Sequence, residues 1–183
     1  HCLEAYCSPF FHPLSQGIAI EGVSIIHKYL LTAFNDGDNI EARGNMLAAS
    51  SMGSTAFQKG LGAIHSLSHP VGAIYNTHHG LTNAVFMPYV LIKNKDAIEN
   101  RIESLARYIN LPDPNFDGFI KWILDLRNKL AVPHTLKELI KDDEKFEEMS
   151  VMAFNDPSTG GNPIQLTDKD FLQLYRDAYN GKL

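Results

Sequence analysis

The 183 residues are 44 per cent apolar and 20 per cent charged, ordinary for a single globular domain that buries roughly 70 per cent of its unfolded surface. Sixteen Lys and Arg against 21 Asp and Glu give a formal net charge of -5 with no basic cluster, which excludes the electrostatic footprint of a nucleic-acid binder. Cys2 and Cys7 do not face each other on a helix, so free thiols and a cytoplasmic setting are expected, and the absence of a run of about 20 apolar residues predicts no membrane span.

The opening His1-Cys-Leu-Glu-Ala reads as helix and lacks the basic start of a signal peptide; lacking a methionine too, it is expected to continue a longer chain. Ile18 to Leu31 is apolar on nearly every face, which predicts a helix buried in the middle of a bundle. Asn35-Asp-Gly-Asp38 breaks that pattern, and a long segment from about Ile40 to Lys59 follows, rich in Ala, Ser and Met, whose small residues would let helices approach closely. Gly60-Leu-Gly62 separates it from a histidine-bearing stretch.

Farther on, Ile98, Ile102, Leu105, Ala106 and Ile109 form one apolar stripe ending before Leu111-Pro-Asp-Pro114, and Phe116 to Leu130 forms a second that ends near Pro133. Thr135 with Glu138, and Thr167 with Asp170, have capping-box spacing, so each predicts a helix start. Asp142-Asp-Glu144 reads as an acidic first turn, Asn155 to Pro163 as a loop, and Asp168 to Tyr179 as the last helix. No period-two alternation bounded by turns occurs, so the expectation is an all-α, multi-helix bundle forming one domain over 1–183. Isolated His12, His27 and His134, and Trp122 on its amphipathic helix, read as surface or packing residues.

Four of the eight histidines lie between His65 and His79, in His65-x3-His69 followed by His78-His79-Gly80. His65 and His69 project from one helical face, and a turn at Asn76-Thr77 can bring His79 back toward them. Such a cluster can hold a divalent metal, and imidazole suits Zn, Fe, Ni or Cu alike. The spacing names a metal and not a reaction.

The longer pattern His65-x3-His69-Pro-x-Gly with His79-Gly-x3-Ala84-x3-Pro88 resembles the signature of iron-containing (group III) alcohol dehydrogenases. His1-Cys-Leu-Glu-Ala-Tyr6 is similar to that family's segment carrying an earlier metal ligand, and Asp156-Pro-Ser-Thr-Gly-Gly-Asn-Pro163 to its loop before the last helix, so the resemblance covers essentially the whole chain. It implies the helical C-terminal, dehydroquinate synthase-like domain, with His1, His65 and His79 as metal ligands and His69 in proton transfer. His79 and Phe57 are the residues it places toward cofactor and substrate. The implied cofactors are Fe2+, or Zn2+ as in related glycerol dehydrogenases, and NAD(P) in the intact enzyme. The metal would polarise a small alcohol or aldehyde oxygen for hydride transfer.

Three departures qualify what the resemblance implies. No Gly-rich turn follows a strand, so the nucleotide-binding N-terminal domain is expected to lie outside this sequence and the chain alone to bind NAD(P) poorly and be inactive. The family's aspartate ligand would fall three residues before His1, and His78 stands where many relatives have proline, an extra imidazole expected to face solvent. Glu4 is a candidate carboxylate behind the ligands. Two other readings stay open: a metal-dependent hydrolase, which would require further Asp or Glu ligands, and a non-catalytic helical assembly domain. Dimers are common among relatives.

Overall fold

The computed structural model describes residues 1–183 and is helical throughout, without strands. Nine α-helices follow in order: α1 (Cys2–Cys7), α2 (Pro13–Asn35), α3 (Ile40–Ala56), α4 (Ala63–Tyr75), α5 (His79–Lys93), α6 (Lys95–Tyr108), α7 (Phe116–Lys129), α8 (Phe146–Phe154) and α9 (Asp168–Asn180). The boundaries have local causes. Asn39 Oδ1 and Asn115 Oδ1 accept from the amides of Ala42 and Gly118 and so start α3 and α7. Asn76 at φ 52° stops α4 and turns the chain into α5.

The helices bury two apolar clusters side by side. One draws mainly on α1, α2, α6 and α7, including Tyr6, Ile98, Ile102, Leu105 and Phe119; the other draws on α4, α5, α8 and α9, including Leu67, Val71, Phe86, Met149 and Tyr175. Met87 of α5 packs against both. The apolar stripes of α6 and α7 lie in the first cluster as their spacing predicts.

The expectation for α2 needs correcting. Only Ser15, Ala19, Gly22 and Val23 are buried, on the small-residue side that meets α1 and α3, while Leu14 and Phe34 are 76 and 55 per cent exposed. Close approach explains the choice of side: a Cβ at Gly22 would collide with Cys2 Sγ. The helix is also long and apolar enough, by length and composition alone, to cross a membrane, with 17 per cent of the relevant window buried.

Two smaller corrections follow the same logic. Thr135 and Glu138 do form a capping box, but what it opens is a single 3-10 turn, Leu136–Glu138. Leu136 and Ile140 are buried there, and Lys141 to Lys145 then offers no apolar side to carry a helix on. Asp142-Asp-Glu144 precedes α8 rather than forming its first turn, which carries Glu147 and Glu148; Asp142 instead accepts a hydrogen bond from Tyr75.

The box at α9 is complete: Asp170 Oδ2 accepts from Thr167 N at 2.9 Å, Thr167 Oγ1 accepts from Asp170 N, and Lys93 Nζ lies 2.7 Å from Asp170 Oδ1. The Lys93 hydrogen bond, then the Thr167 donors, hold the Asp170 carboxyl down at about 2 against the opposing effect of burial. A carboxyl lowered in the folded state stabilises above its unfolded pKa of about 3.9 and loses that contribution as pH falls toward 2. Asp170→Asn should therefore lower Tm by roughly 2–4 °C at pH 6 and flatten the fall in Tm between pH 4 and 2, followed by circular dichroism.

Candidate metal centre

The site begins at the N-terminus of α4, where the first amides have no helical partners. Gly62, the N-cap, has no side chain to satisfy them, so residues distant in sequence do: Glu4 Oε1 accepts from Ile64 N at 2.8 Å and Asn162 Oδ1 from Ala63 N at 3.2 Å. Asn162 also exchanges hydrogen bonds with Asn94, which ties the 155–163 loop to the end of α5. The other oxygen of Glu4, Oε2, pairs with His65 Nδ1; both side chains are buried. A carboxylate at a helix N-terminus is further favoured by the aligned peptide dipoles.

Four imidazoles then gather on the seam between α1, α4 and α5. His65 lies with its ring centroid 4.7 Å from that of His1, 5.2 Å from His79 and 5.8 Å from His69, and His69 stacks on His79 at 5.4 Å. The side-chain amide nitrogen of Asn83 bridges two of them, 3.2 Å from His65 Nε2 and 3.1 Å from His79 Nε2. An amide nitrogen only donates, so both Nε2 atoms act as acceptors, and the proton of His65 sits on Nδ1 toward Glu4. Asn83 Oδ1 is left buried without a partner. Burial first, then the neighbouring imidazoles of His65, His69 and His78, push the His79 pKa down.

As the side chains stand, no group of three His, Cys, Asp or Glu residues is positioned to hold a metal ion; the Asn83 amide lies between two of the imidazole lone pairs. The donor set nevertheless fits a divalent cation. Two deprotonated nitrogens face one electropositive group, and a buried carboxylate supports one of them from behind.

His69, with a side chain 42 per cent exposed, takes its partner from the loop: Nδ1 lies 2.8 Å from Asp156 Oδ2, and Asp156 Oδ1 accepts from Ser158 N. Burial alone would raise the Asp156 carboxyl, but hydrogen bonds from His69 and from Ser158 outweigh it and hold it below the usual range. Nδ1 of His69 thus carries the proton shared with Asp156, and Nε2 lies on the far side of the ring from that carboxylate.

All five residues singled out in the sequence, His1, Phe57, His65, His69 and His79, are thus drawn into one patch, with Phe57 touching it through His1 at a ring separation of 5.4 Å. His78 is exposed and stays apart, capping α5 by accepting from Leu81 N. His12 likewise caps α2, and His27 packs edge-on against Trp122. Asn83 and Asp156 were missed as functional residues. Asn83 was legible as a polar residue four after His79 on the same helical face, whereas nothing in the sequence pairs Asp156 with a histidine 87 positions away.

The family profile described as "Fe-containing alcohol dehydrogenase family, C-terminal" matches residues 1–179. A 4-hydroxybutyrate dehydrogenase from Cupriavidus necator is 34 per cent identical over 187 aligned positions, covering 97 per cent of this chain and 48 per cent of its own length. The crystal structure of a 1,3-propanediol oxidoreductase superimposes with a TM-score of 0.92 at 27 per cent identity, covering 98 per cent of this chain and 49 per cent of that one. An iron-containing alcohol dehydrogenase from Thermococcus thioreducens gives 0.89 at 30 per cent identity, covering 99 and 48 per cent. The chain spans about half the length of the curated relatives it matches.

The cap on α4 generates a stability prediction. A Cβ at Gly62 would stand 3.1 Å from both Asn162 Oδ1 and Glu4 Oε1, the two atoms that replace a side-chain cap. Gly62→Ala should push them off the Ala63 and Ile64 amides and cost about 1–3 kcal/mol, read as a lower urea midpoint with an unchanged slope; a midpoint equal to that of the parent would refute the cap.

Proposed function

The chain belongs to the Fe-containing alcohol dehydrogenase family, and on that premise we propose that it is the metal-binding half of an NAD(P)-dependent alcohol dehydrogenase or aldehyde reductase. The observation that carries the reading is the shared engagement of His65 Nε2 and His79 Nε2 by a single donor, beside His1 and in front of Glu4. His1, His65 and His79 would hold a divalent metal, Fe2+ or Zn2+. Such a metal supplies Lewis acidity that polarises an alcohol or carbonyl oxygen for hydride exchange with a nicotinamide.

The chain's own residues do the rest. Glu4 fixes the tautomer and orientation of His65, so that Nε2 presents a lone pair. His79, its pKa lowered by burial, gives up its proton to ligation more readily than a free imidazole. His69 keeps its Nδ1 proton on Asp156 and offers Nε2 at the edge of the cluster, where it can take up or return the proton of a hydroxyl. Phe57 would line the approach of cofactor and substrate beside His1.

The nicotinamide would come from a nucleotide-binding half, since a fold without strands has no strand-to-helix Gly-rich turn to cradle a pyrophosphate. Small alcohols or aldehydes are the substrate class, in line with the names of the similar dehydrogenases, and a cytoplasmic homodimer completes the reading. A hydrolase would call for free carboxylate ligands. The two carboxylates beside the imidazoles, Glu4 and Asp156, are instead taken up by histidine Nδ1 atoms.

Zinc and ferrous-ion affinity of the chain, measured by chelator competition, tests the assignment. His65→Ala should remove most of the affinity, and Glu4→Gln, which leaves the ligand in place, should weaken it by about 10-fold or more. Parent-like affinity in a folded His65→Ala variant would sink the reading.

A further inference from the structure

The segment from Asp156 to Asn162 runs back along α4 as a ladder of three rungs. Asn162 Oδ1 accepts from Ala63 N at 3.2 Å, Thr159 Oγ1 lies 2.8 Å from Ser66 Oγ, and Asp156 Oδ2 lies 2.8 Å from His69 Nδ1. Each step of three residues along α4 is matched by a step of three in the opposite direction along the segment, the period of the 3-10 turn that it forms at Pro157–Gly161. Direct backbone contact fixes the first rung: a Cβ at Gly161 would stand 2.1 Å from the Leu61 carbonyl oxygen.

The middle rung reaches a third element. Thr159 Oγ1 is 2.7 Å from the Ala153 carbonyl oxygen near the end of α8, and the same carbonyl accepts from Asp156 N at 3.2 Å. Thr159 N donates to the Asp156 carbonyl at 3.0 Å, and Ser158 N to Asp156 Oδ1 at 2.8 Å. Asp156 is thus held at its amide, its carbonyl and one carboxylate oxygen. Oδ2 is the oxygen left to meet His69.

The fold alone does not call for that last rung. Capping the 3-10 turn uses Oδ1 and makes no demand on Oδ2. The pair formed by Oδ2 has a histidine open to water on one side, where an ion pair adds little to stability. What it decides is which ring nitrogen carries the proton, because a neutral imidazole takes the tautomer that a fixed partner dictates.

We propose that Asp156–Asn162 is a clamp that sets the orientation and tautomer of His69, with Thr159 as the positioning residue that holds Asp156 in register between α4 and α8. The inference rests on the reading of His69 as the group that exchanges the hydroxyl proton, and it adds the residues through which that proton site is held. Thr159 makes no hydrogen bond to an imidazole and acts through Asp156.

Nitrogen-15 NMR of the histidine-labelled chain separates protonated from bare ring nitrogens, and the signals lost in His69→Gln assign that ring. At about pH 8.5, well above the pKa of a free imidazole, His69 of the parent should be in the Nδ1–H form. Asn caps a turn as well as Asp does, so Asp156→Asn should keep Tm within about 2 °C of the parent. It should also turn an amide N–H toward His69 Nδ1 and invert the tautomer to Nε2–H. Thr159→Val, which removes the hydroxyl and keeps the shape, should lower the ratio of Nδ1–H to Nε2–H about fivefold, and Thr159→Ser should restore it. A ring that keeps the parent's ratio in Asp156→Asn or in Thr159→Val would overturn the clamp, as would a parent His69 in the Nε2–H form. These spectra are taken without metal, so the clamp can fail while the His65→Ala titration succeeds, and the metal centre can fail while the clamp stands.

Discussion

The structure turns on the buried carboxylate of Glu4. It sits on a helix of six residues, far below the length at which a helix holds itself together in water, so α1 exists only because its neighbours order it. A carboxylate taken out of water is costly unless several donors meet it. Glu4 finds them in the Ile64 amide and the His65 ring, both on the first turn of α4. At the other end of α1, Arg101 donates to the carbonyls of Tyr6, Cys7 and Ser8, and the buried Lys59 ammonium to that of Tyr6. Cations at the C-terminus and a helix N-terminus facing the carboxylate leave α1 no freedom to slide, and His1 is carried to within 4.7 Å of His65 as a consequence.

That anchoring also explains why the candidate site lies on a seam. α1 belongs to one apolar cluster and α4 to the other, so the Glu4 link joins two cores that otherwise share little more than α5. The four imidazoles occupy the rim of this joint: His65 is buried, whereas His1, His69 and His79 are exposed. Burial of one ring and exposure of three is a workable division. The buried ring is oriented by its carboxylate, and the exposed ones can meet a substrate or a second protein body without first breaking a packed core.

Much of this was legible in the sequence, for reasons that can be named. Apolar spacing located α6 and α7, Thr167 and Asp170 marked the start of α9, and the spacing of His65, His69 and His79 placed their imidazoles together. The failures have a common origin in contacts between distant residues. α2 is apolar all round, yet which side it buries is decided by the small residues that let α1 and α3 come close. Glu4 stands out as a candidate carboxylate, but its partners lie on α4, 60 positions on, and no local pattern names them. Asp156 belongs to a loop whose composition says only that it turns, and its pairing with His69 depends on Asn162 pinning that loop to α4 and α5.

Asn83 shows how such a site differs from ordinary packing. Its amide nitrogen satisfies two imidazole lone pairs at once, but the arrangement strands its own carbonyl oxygen in a buried position. An unsatisfied buried acceptor costs about 1–3 kcal/mol, and native structures seldom keep one without a reason. Had the cluster evolved only to fill space, an aliphatic residue at position 83 beside tautomers bonded to each other would avoid that cost. Under the proposed reading a cation accepted by His65 and His79 would displace the Asn83 amide from both Nε2 atoms.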